Sequence, residues 1–500
     1  MNYEVIVIGG GIGGLTTAAL LAARGVNVCL FEKESRAGGC VAAEEHHGYR
    51  FEPGAGLYAS WQPGDIHERV FAELPVTAPD VRQVSPPYVV RLPDACEVNV
   101  SGSDAEFESQ LRQAFPECAA AAVAFYREMG PVAAALHRAA RRIPDLPHAS
   151  RLQRIKLAAS EPRAAPHILA RSSDTAATHL QQTSSRFRRF IDAQLQIFAQ
   201  CASGECAYLY SAVALCLPRR EMYAIRGGGA ALADTFIESI KSSGGTVRLD
   251  TSVLRLACDA GGRAVGVDLL SGEAVTATRA IVSNLTVWDT YGKLVGLNRT
   301  PADVRARLKT CRGWGAYLIY VGVDEEACAR LSAERVLALT DWQDGGPEFN
   351  PEHSLFMFSA APAWDRRAPS GKRAATIATF TEPEQWFTFH RGETEHEAQD
   401  QAALEAWWGR LHEALPELGS GVEVIETATP RTFYERTRRK LGMVGGVGQS
   451  LGLFGTNSLT HCTAVPNLYM VGDTMFPGQG VAAVTHSALI VANKIAPPTG

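Results

Sequence analysis

Residues 5–33 have the sequence VIVIGGGIGGLTTAALLAARGVNVCLFEK, and this stretch decides the fold of the 500-residue chain. The apolar run at 5–8 is typical of a buried parallel strand, and the pattern at 15–23 predicts a helix that Gly25 ends. A second buried strand is predicted at 26–31. A strand, a glycine-rich turn, a helix and a second strand in this order predict an α/β fold with a parallel sheet.

The turn between the first strand and the helix has the spacing G-x-G-x-x-G at Gly9, Gly11 and Gly14. Gly9 permits a tight turn, Gly11 lets the backbone approach a pyrophosphate, and Gly14 lets the helix pack closely on the strand. Gly13 belongs to the same predicted site, where unpaired N–H groups at the helix N-terminus face the phosphates. Glu32 ends the second strand and is placed to accept hydrogen bonds from a ribose. An acidic residue there disfavours NADP, so the stretch predicts binding of FAD or NAD.

The residues after Glu32 extend the predicted dinucleotide site. Residues 33–39 are KESRAGG, and the glycine pair Gly38 and Gly39 lets the chain run close under an extended cofactor. Lys33 and Arg36 belong to the same predicted site, with Arg36 available to a phosphate.

The C-terminal part of the chain carries a second glycine-rich loop. Residues 467–473, NLYMVGD, predict a buried strand that ends in Gly-Asp, and 476–481, FPGQGV, lead into a helix predicted at 482–494. Asp473 is placed to hold a hydroxyl group of a cofactor chain. Backbone N–H groups at the start of the helix can approach an electron-rich ring edge, such as the pyrimidine edge of a reduced flavin. The predicted site residues of this loop are Gly472, Asp473, Gly480 and Val481.

These motifs resemble those of the flavoproteins with two dinucleotide-binding domains, a superfamily that includes amine oxidases and carotenoid desaturases. The wording GDTMFPGQGV at 472–481 resembles the carotenoid cis–trans isomerases and desaturases more closely than the amine oxidases, which usually carry Gly-Glu and an aromatic cage. The resemblance implies a Rossmann-like FAD domain, a mixed-sheet substrate domain and a helical cap. It also implies that the chain returns to the FAD domain at 222–229, MYAIRGGG, and that Val253 lies beside the adenine.

The resemblance further implies an apolar polyene as substrate, FAD as cofactor, and a quinone or oxygen as electron acceptor. Desaturation, isomerisation and saturation of carbon–carbon double bonds all remain open. Two alternatives also remain: an oxidase of amines or amino acids on the same fold, and a flavin-bearing protein that carries lipid without turnover. The domain boundaries that we predict are 1–75, 222–299 and 431–500 for the FAD domain, 76–115 and 300–430 for the substrate domain, and 116–221 for the cap.

Local patterns give the elements of the cap and the substrate domain. Helical periodicity is present at 119–129, 132–142, 187–198 and 395–415, and strand patterns are present at 316–323, 354–359 and 374–380. The aromatic residues that could line a substrate tunnel, or pack in the core, are Trp314, Trp386, Phe387 and Phe389.

Composition excludes several classes of protein. A hydrophobic content of 46%, a charged content of 20% and a net charge of −5 describe a globular protein and give no reason to expect nucleic acid as a partner. Eleven cysteines without a CxxC pair predict free thiols rather than a zinc site or a disulfide framework. Free thiols, and the lack of a secretory signal pattern before the first strand, lead us to expect a reducing, cytoplasmic location. The same cysteine spacing leads us to expect no metal site.

One region departs from the acidic balance of the chain. Between Arg138 and Arg189 there are eleven basic residues against three acidic ones. Interleaved apolar residues such as Leu152 and Ile155 leave two readings open, a solvated basic face or peripheral contact with the inner surface of an anionic membrane.

No side chain stands out as a nucleophile, since GxSxG, HExxH and paired-carboxylate motifs are missing from the sequence. The redox chemistry is therefore expected from the cofactor itself. His486, in the predicted final helix, is a candidate acid/base group near the flavin, or a side chain that fills the core.

Overall fold

A computed structural model describes residues 2–340, 349–387 and 393–498. Its strands, in chain order, are β1 (Asn2–Ile8), β2 (Val28–Phe31), β3 (Glu44–His46), β4 (Tyr49–Phe51), β5 (Val81–Gln83), β6 (Val89–Arg91), β7 (Glu97–Asn99), β8 (Tyr223–Ile225), β9 (Thr246–Arg248), β10 (Val253–Cys258), β11 (Ala264–Leu269), β12 (Ala274–Ser283), β13 (Gly315–Asp324), β14 (Arg335–Leu339), β15 (Leu355–Ala360), β16 (Lys372–Thr381), β17 (Val422–Ala428) and β18 (Leu468–Met470).

The α-helices, again in chain order, are α1 (Ile12–Ala23), α2 (Ile66–Phe71), α3 (Asp104–Ala114), α4 (Ala119–Arg142), α5 (Arg151–Ser160), α6 (Ala165–Ala170), α7 (Ser185–Ala199), α8 (Tyr208–Arg220), α9 (Gly228–Ser242), α10 (Val287–Asp289), α11 (Ala302–Thr310), α12 (Glu325–Ala329), α13 (Pro351–Ser354), α14 (Glu393–Ala414), α15 (Pro430–Thr437) and α16 (Val481–Ile495). A π-helical segment, Thr290–Gly296, follows α10.

The first sheet has the strand order β10-β11-β12-β1-β2-β9, and β18 pairs with β12. Strand β1 is parallel to both β2 and β12, and β18 is parallel to β12. Apolar side chains of α1, α9 and α16 pack on this sheet in one buried cluster, as expected for strands that are covered by helices. The predicted α/β fold with a Rossmann-like dinucleotide domain is confirmed.

The second sheet has the order β17-β13-β16-β15-β14-β6-β7. Strand β13 runs antiparallel to β16 along its whole length, whereas β14 is parallel to β6, which lies far earlier in the sequence. Alternate residues of β14 face opposite layers, as the two-residue period of a strand requires. Leu337 packs with the helices that precede β8, and Val336 packs with the cluster that includes α14.

The helical region covers one face of the second sheet. Helices α4, α7 and α8 pack on each other around an aromatic cluster in which Phe115 and Phe187 meet edge to face with ring centroids 5.1 Å apart. The sequence patterns at 119–129 and 132–142 form one continuous helix, α4, with Pro131 inside it. Pro131 is exposed, so solvent can satisfy the carbonyl that it frees, while Met129 and Val132 keep the buried face continuous.

Helices α5 and α6 differ from the rest of this region. Neither contains a buried residue. The segment 151–170 therefore lies on the outside of the helical layer.

Candidate cofactor site

The opening glycine turn is shaped by direct backbone contact. Gly9 has a φ of +97°, a conformation that favours glycine, and its N–H donates to the carbonyl of Phe31 at 2.8 Å. A Cβ on Gly14 would lie 2.1 Å from the carbonyl oxygen of Gly9, so a side chain cannot fit there. Helix α1 starts at Ile12, three residues before the predicted start, because this close packing outweighs the low helix propensity of glycine.

Glu32 lies beside this turn. Its Oε2 accepts the backbone N–H of Gly10 at 2.6 Å, and its Oε1 accepts that of Glu34 at 2.9 Å. The carboxylate is thereby fixed at the carboxyl end of β2, and each oxygen keeps a lone pair for another donor. The part of Glu32 in ribose binding stays a prediction.

The glycine pair after β2 packs against the same turn. The N–H of Gly38 donates to the carbonyl of Gly10 at 2.8 Å, and a Cβ on Gly39 would lie 3.3 Å from the Cα of Gly11. Gly38 itself has a φ of +119°. The two glycine segments are therefore in backbone contact. The surface that they form, at residues 9–14 and 38–39, is called the cradle.

Asn284 is the residue that connects the opening turn with the closing loop. It follows β12 directly, and its N–H donates to the carbonyl of Ile8 at 2.8 Å. A Cβ added to Gly11 would lie 2.6 Å from its Nδ2, and one added to Gly13 would lie 2.8 Å from its Oδ1. The Asn284 amide therefore lies against Gly11 and Gly13, in the centre of the cradle. It fits there because neither glycine has a Cβ.

Gly472, which follows β18 after one residue, reaches the same place. A Cβ on Gly13 would lie 3.4 Å from its Cα, and a Cβ on Gly472 would lie 3.3 Å from Oδ1 of Asn284. The opening and closing motifs, more than 450 residues apart in the sequence, therefore meet at the carboxyl edge of β1, β12 and β18. Ligands of open α/β sheets bind at this edge.

Asp473 has a partner that the sequence analysis did not include. Nη2 of Arg439 lies 2.9 Å from Oδ2 of Asp473, and its Nε donates to the carbonyl of Met443 at 2.7 Å. Burial acts to lower the pKa of Arg439, but the negative charge of Asp473 outweighs it and raises the pKa above its usual range. Asp473 is thus held as one member of a largely buried ion pair.

The closing loop is supported by the helical region. Nε2 of Gln479 donates to the carbonyl of Ile197 in α7 at 2.8 Å. A Cβ on Gly478 would lie 2.9 Å from Nε2 of Gln449 and 3.2 Å from the hydroxyl of Tyr210. Gly480, with a φ of +91°, is the N-cap residue of α16. The N–H groups of the first turn of α16 therefore follow a loop that is held by other parts of the chain.

Gln200 adds a second contact between the helical region and the residues before β18. It has a φ of +56° directly after α7, is buried, and donates from Nε2 to the carbonyl of Val444 at 2.9 Å. Its Oε1 is buried without a hydrogen-bond partner within the described residues. The only sequence signal for such residues is a glutamine next to an apolar helix, which is too common to identify a site.

Two predicted cofactor residues, Lys33 and Arg36, have partners within the protein, and their contact with a cofactor stays a prediction. Nζ of Lys33 contacts the carboxylate of Glu34 and the carbonyl of Glu435, and Nη2 of Arg36 lies 3.3 Å from Glu44. Arg36 is half exposed, so its part in phosphate binding stays a prediction.

Val253 begins β10, where it pairs with Leu269. Two residues earlier, the N–H of Thr251 donates to the backbone carbonyl of Glu32 at 2.8 Å. This contact places the start of β10 next to the end of β2, where we predicted the adenine side of the cofactor.

His486 lies in α16 and makes contacts that fit a structural role. Its Nε2 lies 2.8 Å from the carbonyl of Pro144, and its ring meets Phe476 edge to face with centroids 6.2 Å apart. Burial lowers the pKa of His486 to about 4, so the imidazole is neutral near pH 7 and donates to that carbonyl. Its predicted acid/base role has no support from these contacts.

Of the aromatic side chains proposed for the tunnel, Trp386 lies in the core, and Trp314 and Phe387 are partly buried. Trp386 stacks on Tyr317 with centroids 5.7 Å apart and donates to Thr381 at 3.0 Å. Trp314 meets Phe380 edge to face, and Phe387 contacts Tyr434 in the same way. Phe389 lies outside the described residues.

Comparisons with known proteins agree with this geometry. Residues 7–74 match the model of the NAD(P)-binding Rossmann-like domain. The chain is 27% identical to the chloroplastic prolycopene isomerase of Arabidopsis thaliana over 100% of its own length and 83% of that protein. It is 24% identical to human all-trans-retinol 13,14-reductase over 99% of its length and 85% of that protein.

Solved structures share the fold at low sequence identity. Cyclohexylamine oxidase from Brevibacterium oxydans IH-35A superimposes with a TM-score of 0.62 at 17% identity, covering 99% of both chains. An oxidoreductase from Methanosarcina mazei also gives a TM-score of 0.62, at 16% identity, covering 98% of this chain and 99% of that one.

The chain shares the fold of the amine-oxidase-like flavoproteins, and its cradle fits a flavin-type dinucleotide. The whole-length similarity to prolycopene isomerase and retinol reductase confirms the resemblance to the carotenoid isomerase and desaturase family.

Proposed function

We propose that this protein is an FAD-dependent oxidoreductase that acts on the double bonds of a long apolar polyene. One observation carries the proposal: the opening glycines, the closing Gly472 and the Asn284 amide converge at one edge of the first sheet. A cradle in which side chains are excluded at several points fits an extended dinucleotide that lies against the backbone.

Each part of the cradle has a distinct role in this proposal. The N–H groups at the start of α1 would hold the pyrophosphate, and the fixed carboxylate of Glu32 would accept the ribose hydroxyls. The first turn of α16 would face the pyrimidine edge of the flavin, where positive helix-end potential stabilises negative charge. When bound, FAD supplies hydride transfer at N5, so no protein nucleophile is required.

The polyene substrate is supported by the relatives whose sequences match over the whole chain. Prolycopene isomerase and all-trans-retinol 13,14-reductase both carry a conjugated polyene in their names, and both cover at least 99% of this chain. The amine oxidases match in fold at 17% identity or below, so that likeness does not favour an amine. Isomerisation is the first candidate reaction, and saturation of a double bond, favoured by the retinol reductase, is the second.

Purified protein tests this proposal in two stages. The released cofactor is identified by its absorbance and chromatographic mobility, and FAD in near-stoichiometric amount is expected. The oxidised and the chemically reduced holoenzymes are then incubated anaerobically with a cis-carotenoid. A trans product without net redox change supports isomerisation, and a hydrogenated product with reoxidation of the flavin supports saturation.

The Gly14→Ala variant serves as a flavin-deficient control for the same incubations, since a Cβ at residue 14 overlaps the Gly9 carbonyl. A further desaturated product with reduction of the flavin would assign desaturation, with a quinone or oxygen as the reoxidant in the cell. Colourless protein that takes up no added FAD would overturn the proposal. Turnover of amines with peroxide release, without any polyene product, would also overturn it.

A further inference from the structure

We propose that the segment 151–170, formed by α5 and α6, is a docking surface for an anionic lipid bilayer. Within residues 2–340, 349–387 and 393–498, no helix combines the length and apolar content that are needed to cross a membrane. Any membrane contact of the described part must therefore be made at its surface, and this segment has the required side chains.

Helix α5 presents apolar and basic side chains on one side. At 100° per residue, Arg151, Leu152, Ile155 and Lys156 fall within an arc of about 140°. All four side chains are exposed. On the other side, Arg154 donates to the carbonyls of two residues before the helix, Pro147 at 2.8 Å and Ala149 at 3.0 Å. These bonds tie the helix to the residues that precede it, and the mixed side stays exposed.

The apolar exposure is concentrated in this segment. Leu152, Ile155 and Leu169 are 67%, 66% and 70% exposed. They make up three of the seven large apolar side chains that are exposed in the described chain. The other four, Leu254, Leu270, Leu297 and Val424, belong to other parts of the molecule and provide matched controls.

The charge of this surface is uncompensated. Arg151, Lys156 and Arg163 have no ion-pair partner within the residues that the structure describes. The one carboxylate of the segment, Glu161, is already paired with Arg138 at 2.7 Å. Leucine and isoleucine between unpaired cations complement a bilayer with anionic headgroups over an apolar interior, whereas nucleic acid would use only the cations.

The residues just before the segment 151–170 contact the helix that follows the closing loop of the candidate cofactor site. The carbonyl of Pro144 accepts a hydrogen bond from His486 at 2.8 Å, and Asp145 pairs with Lys494 at 3.0 Å. Both partners lie in α16, the helix that follows the closing loop. A bilayer on 151–170 would therefore lie next to the flavin domain, where an apolar substrate could leave the lipid. This last step rests on the proposed function, but the docking itself does not.

Vesicle sedimentation of the full-length holoprotein tests the proposal. The vesicles contain phosphatidylcholine alone or phosphatidylcholine with phosphatidylglycerol. The wild type is expected to sediment with the anionic vesicles, and less so at high salt. The double variant Leu152→Ser/Ile155→Ser is expected to lose about tenfold in partitioning, since two exposed aliphatic side chains no longer enter the lipid. The variant Arg151→Gln/Lys156→Gln should lose a similar factor, on anionic vesicles alone.

The double variant Leu254→Ser/Leu270→Ser is the matched control, because it removes two leucines of comparable exposure elsewhere. It should bind vesicles as the wild type does. Equal sedimentation of the wild type with both vesicle types would overturn the proposal. Unchanged binding of the Leu152→Ser/Ile155→Ser variant, or an equal loss in the control, would also overturn it.

Flavin content and polyene turnover in detergent separate this proposal from the proposed function. All three variants should keep both, because the substituted side chains are exposed and lie outside the cradle. Loss of vesicle binding with retained turnover supports docking. Wild-type protein that binds anionic vesicles but turns over no polyene would refute the proposed function and leave the docking surface standing.

Discussion

The two ends of the candidate cofactor site are built in different ways. In the opening turn, Gly14 packs on Gly9 only five residues away, and Gly38 bonds to Gly10. In the closing loop, Gly478 packs against Gln449, and Gln479 bonds to Ile197. The opening turn thus depends mainly on backbone contacts between glycines, with the Asn284 side chain beside them, while the closing loop depends on side chains from the helical region and from the residues before β18. Both glycine segments were recognised from the sequence, but the distant side chains that support the closing loop were not.

The largest effect is expected from breaking the opening turn. Gly14→Ala places a Cβ 2.1 Å from the carbonyl of Gly9 and should lower the free energy of unfolding by about 4 kcal/mol or more, with loss of bound flavin. Gly130→Ala in α4 is the matched control, because nothing lies within 4 Å of the added Cβ. It should stabilise the protein by about 0.5–1 kcal/mol. Urea unfolding and flavin absorbance check both, and retention of flavin by Gly14→Ala would contradict the model of the turn.

The second prediction removes the support of the closing loop. Arg439→Met leaves the carboxylate of Asp473 without its cation and should cost about 3 kcal/mol in the free energy of unfolding. Addition of Asp473→Asn should recover part of this loss. Arg255→Met breaks an exposed pair with Asp268 and should cost less than about 1 kcal/mol. Urea denaturation measures the free energy of unfolding of the wild type and the three variants. Similar losses for Arg439→Met and Arg255→Met would show that the buried pair does not stabilise the closing loop more than an exposed pair stabilises its strands.

The third prediction concerns pH and the helix behind the closing loop. Burial lowers the pKa of His486 to about 4, below the value of about 6.5 in an unfolded chain. Between these values the unfolded state binds a proton that the folded state does not, so stability decreases as the pH falls from about 6.5 toward 4. One such histidine accounts for about 2 kcal/mol between pH 6.5 and 5.

His486→Gln keeps an N–H donor for the Pro144 carbonyl but cannot titrate. Its free energy of unfolding should therefore fall by about 2 kcal/mol less than that of the wild type over the same pH interval. Urea titrations at the two pH values give the difference directly. Parallel pH profiles of the two proteins would show that His486 is not the group that titrates.

The smallest effect is expected from the contact between the closing loop and α7. Gln479→Ala removes the hydrogen bond to the carbonyl of Ile197 and should cost about 1 kcal/mol, with faster amide hydrogen exchange at the end of α7. Gln401→Ala, which removes an exposed side-chain hydrogen bond to Glu405, should leave the exchange of α7 unchanged. Exchange rates of α7 that do not respond to Gln479→Ala would show that the closing loop does not depend on the helical region.

Strands β1, β2 and β18 of the first sheet could be predicted because their signals are local. The apolar runs that form β1 and β18, and the glycines between strand and helix, follow from hydrophobic pattern and steric demand. Asn284 and Arg439 could not be predicted, although both lie at the centre of the site. Asn284 is one polar residue after an apolar strand, and Arg439 becomes important only because the chain brings Asp473 to it.

In the helical region, too, only the features with a local sequence signal could be predicted. The patterns at 119–129, 132–142 and 187–198 predicted α4 and α7. That α4 runs through Pro131 without a break could not be predicted, because the exposed position of that residue depends on which face packs on α8. The excess of basic residues between Arg138 and Arg189 was visible in the sequence. Which of them stay unpaired was not, since Arg138 and Arg171 find partners in Glu161 and Glu128 only after folding.

The position of β18 has a consequence for biosynthesis. This strand pairs with one edge of the Ser283 end of β12, while β1 covers the other edge. During translation, β1 and β12 can associate as soon as both have left the ribosome, but the free edge of β12 has to wait for nearly 190 further residues. A nascent chain therefore carries an open strand edge until β18 emerges, which makes it a candidate client for chaperones at that stage.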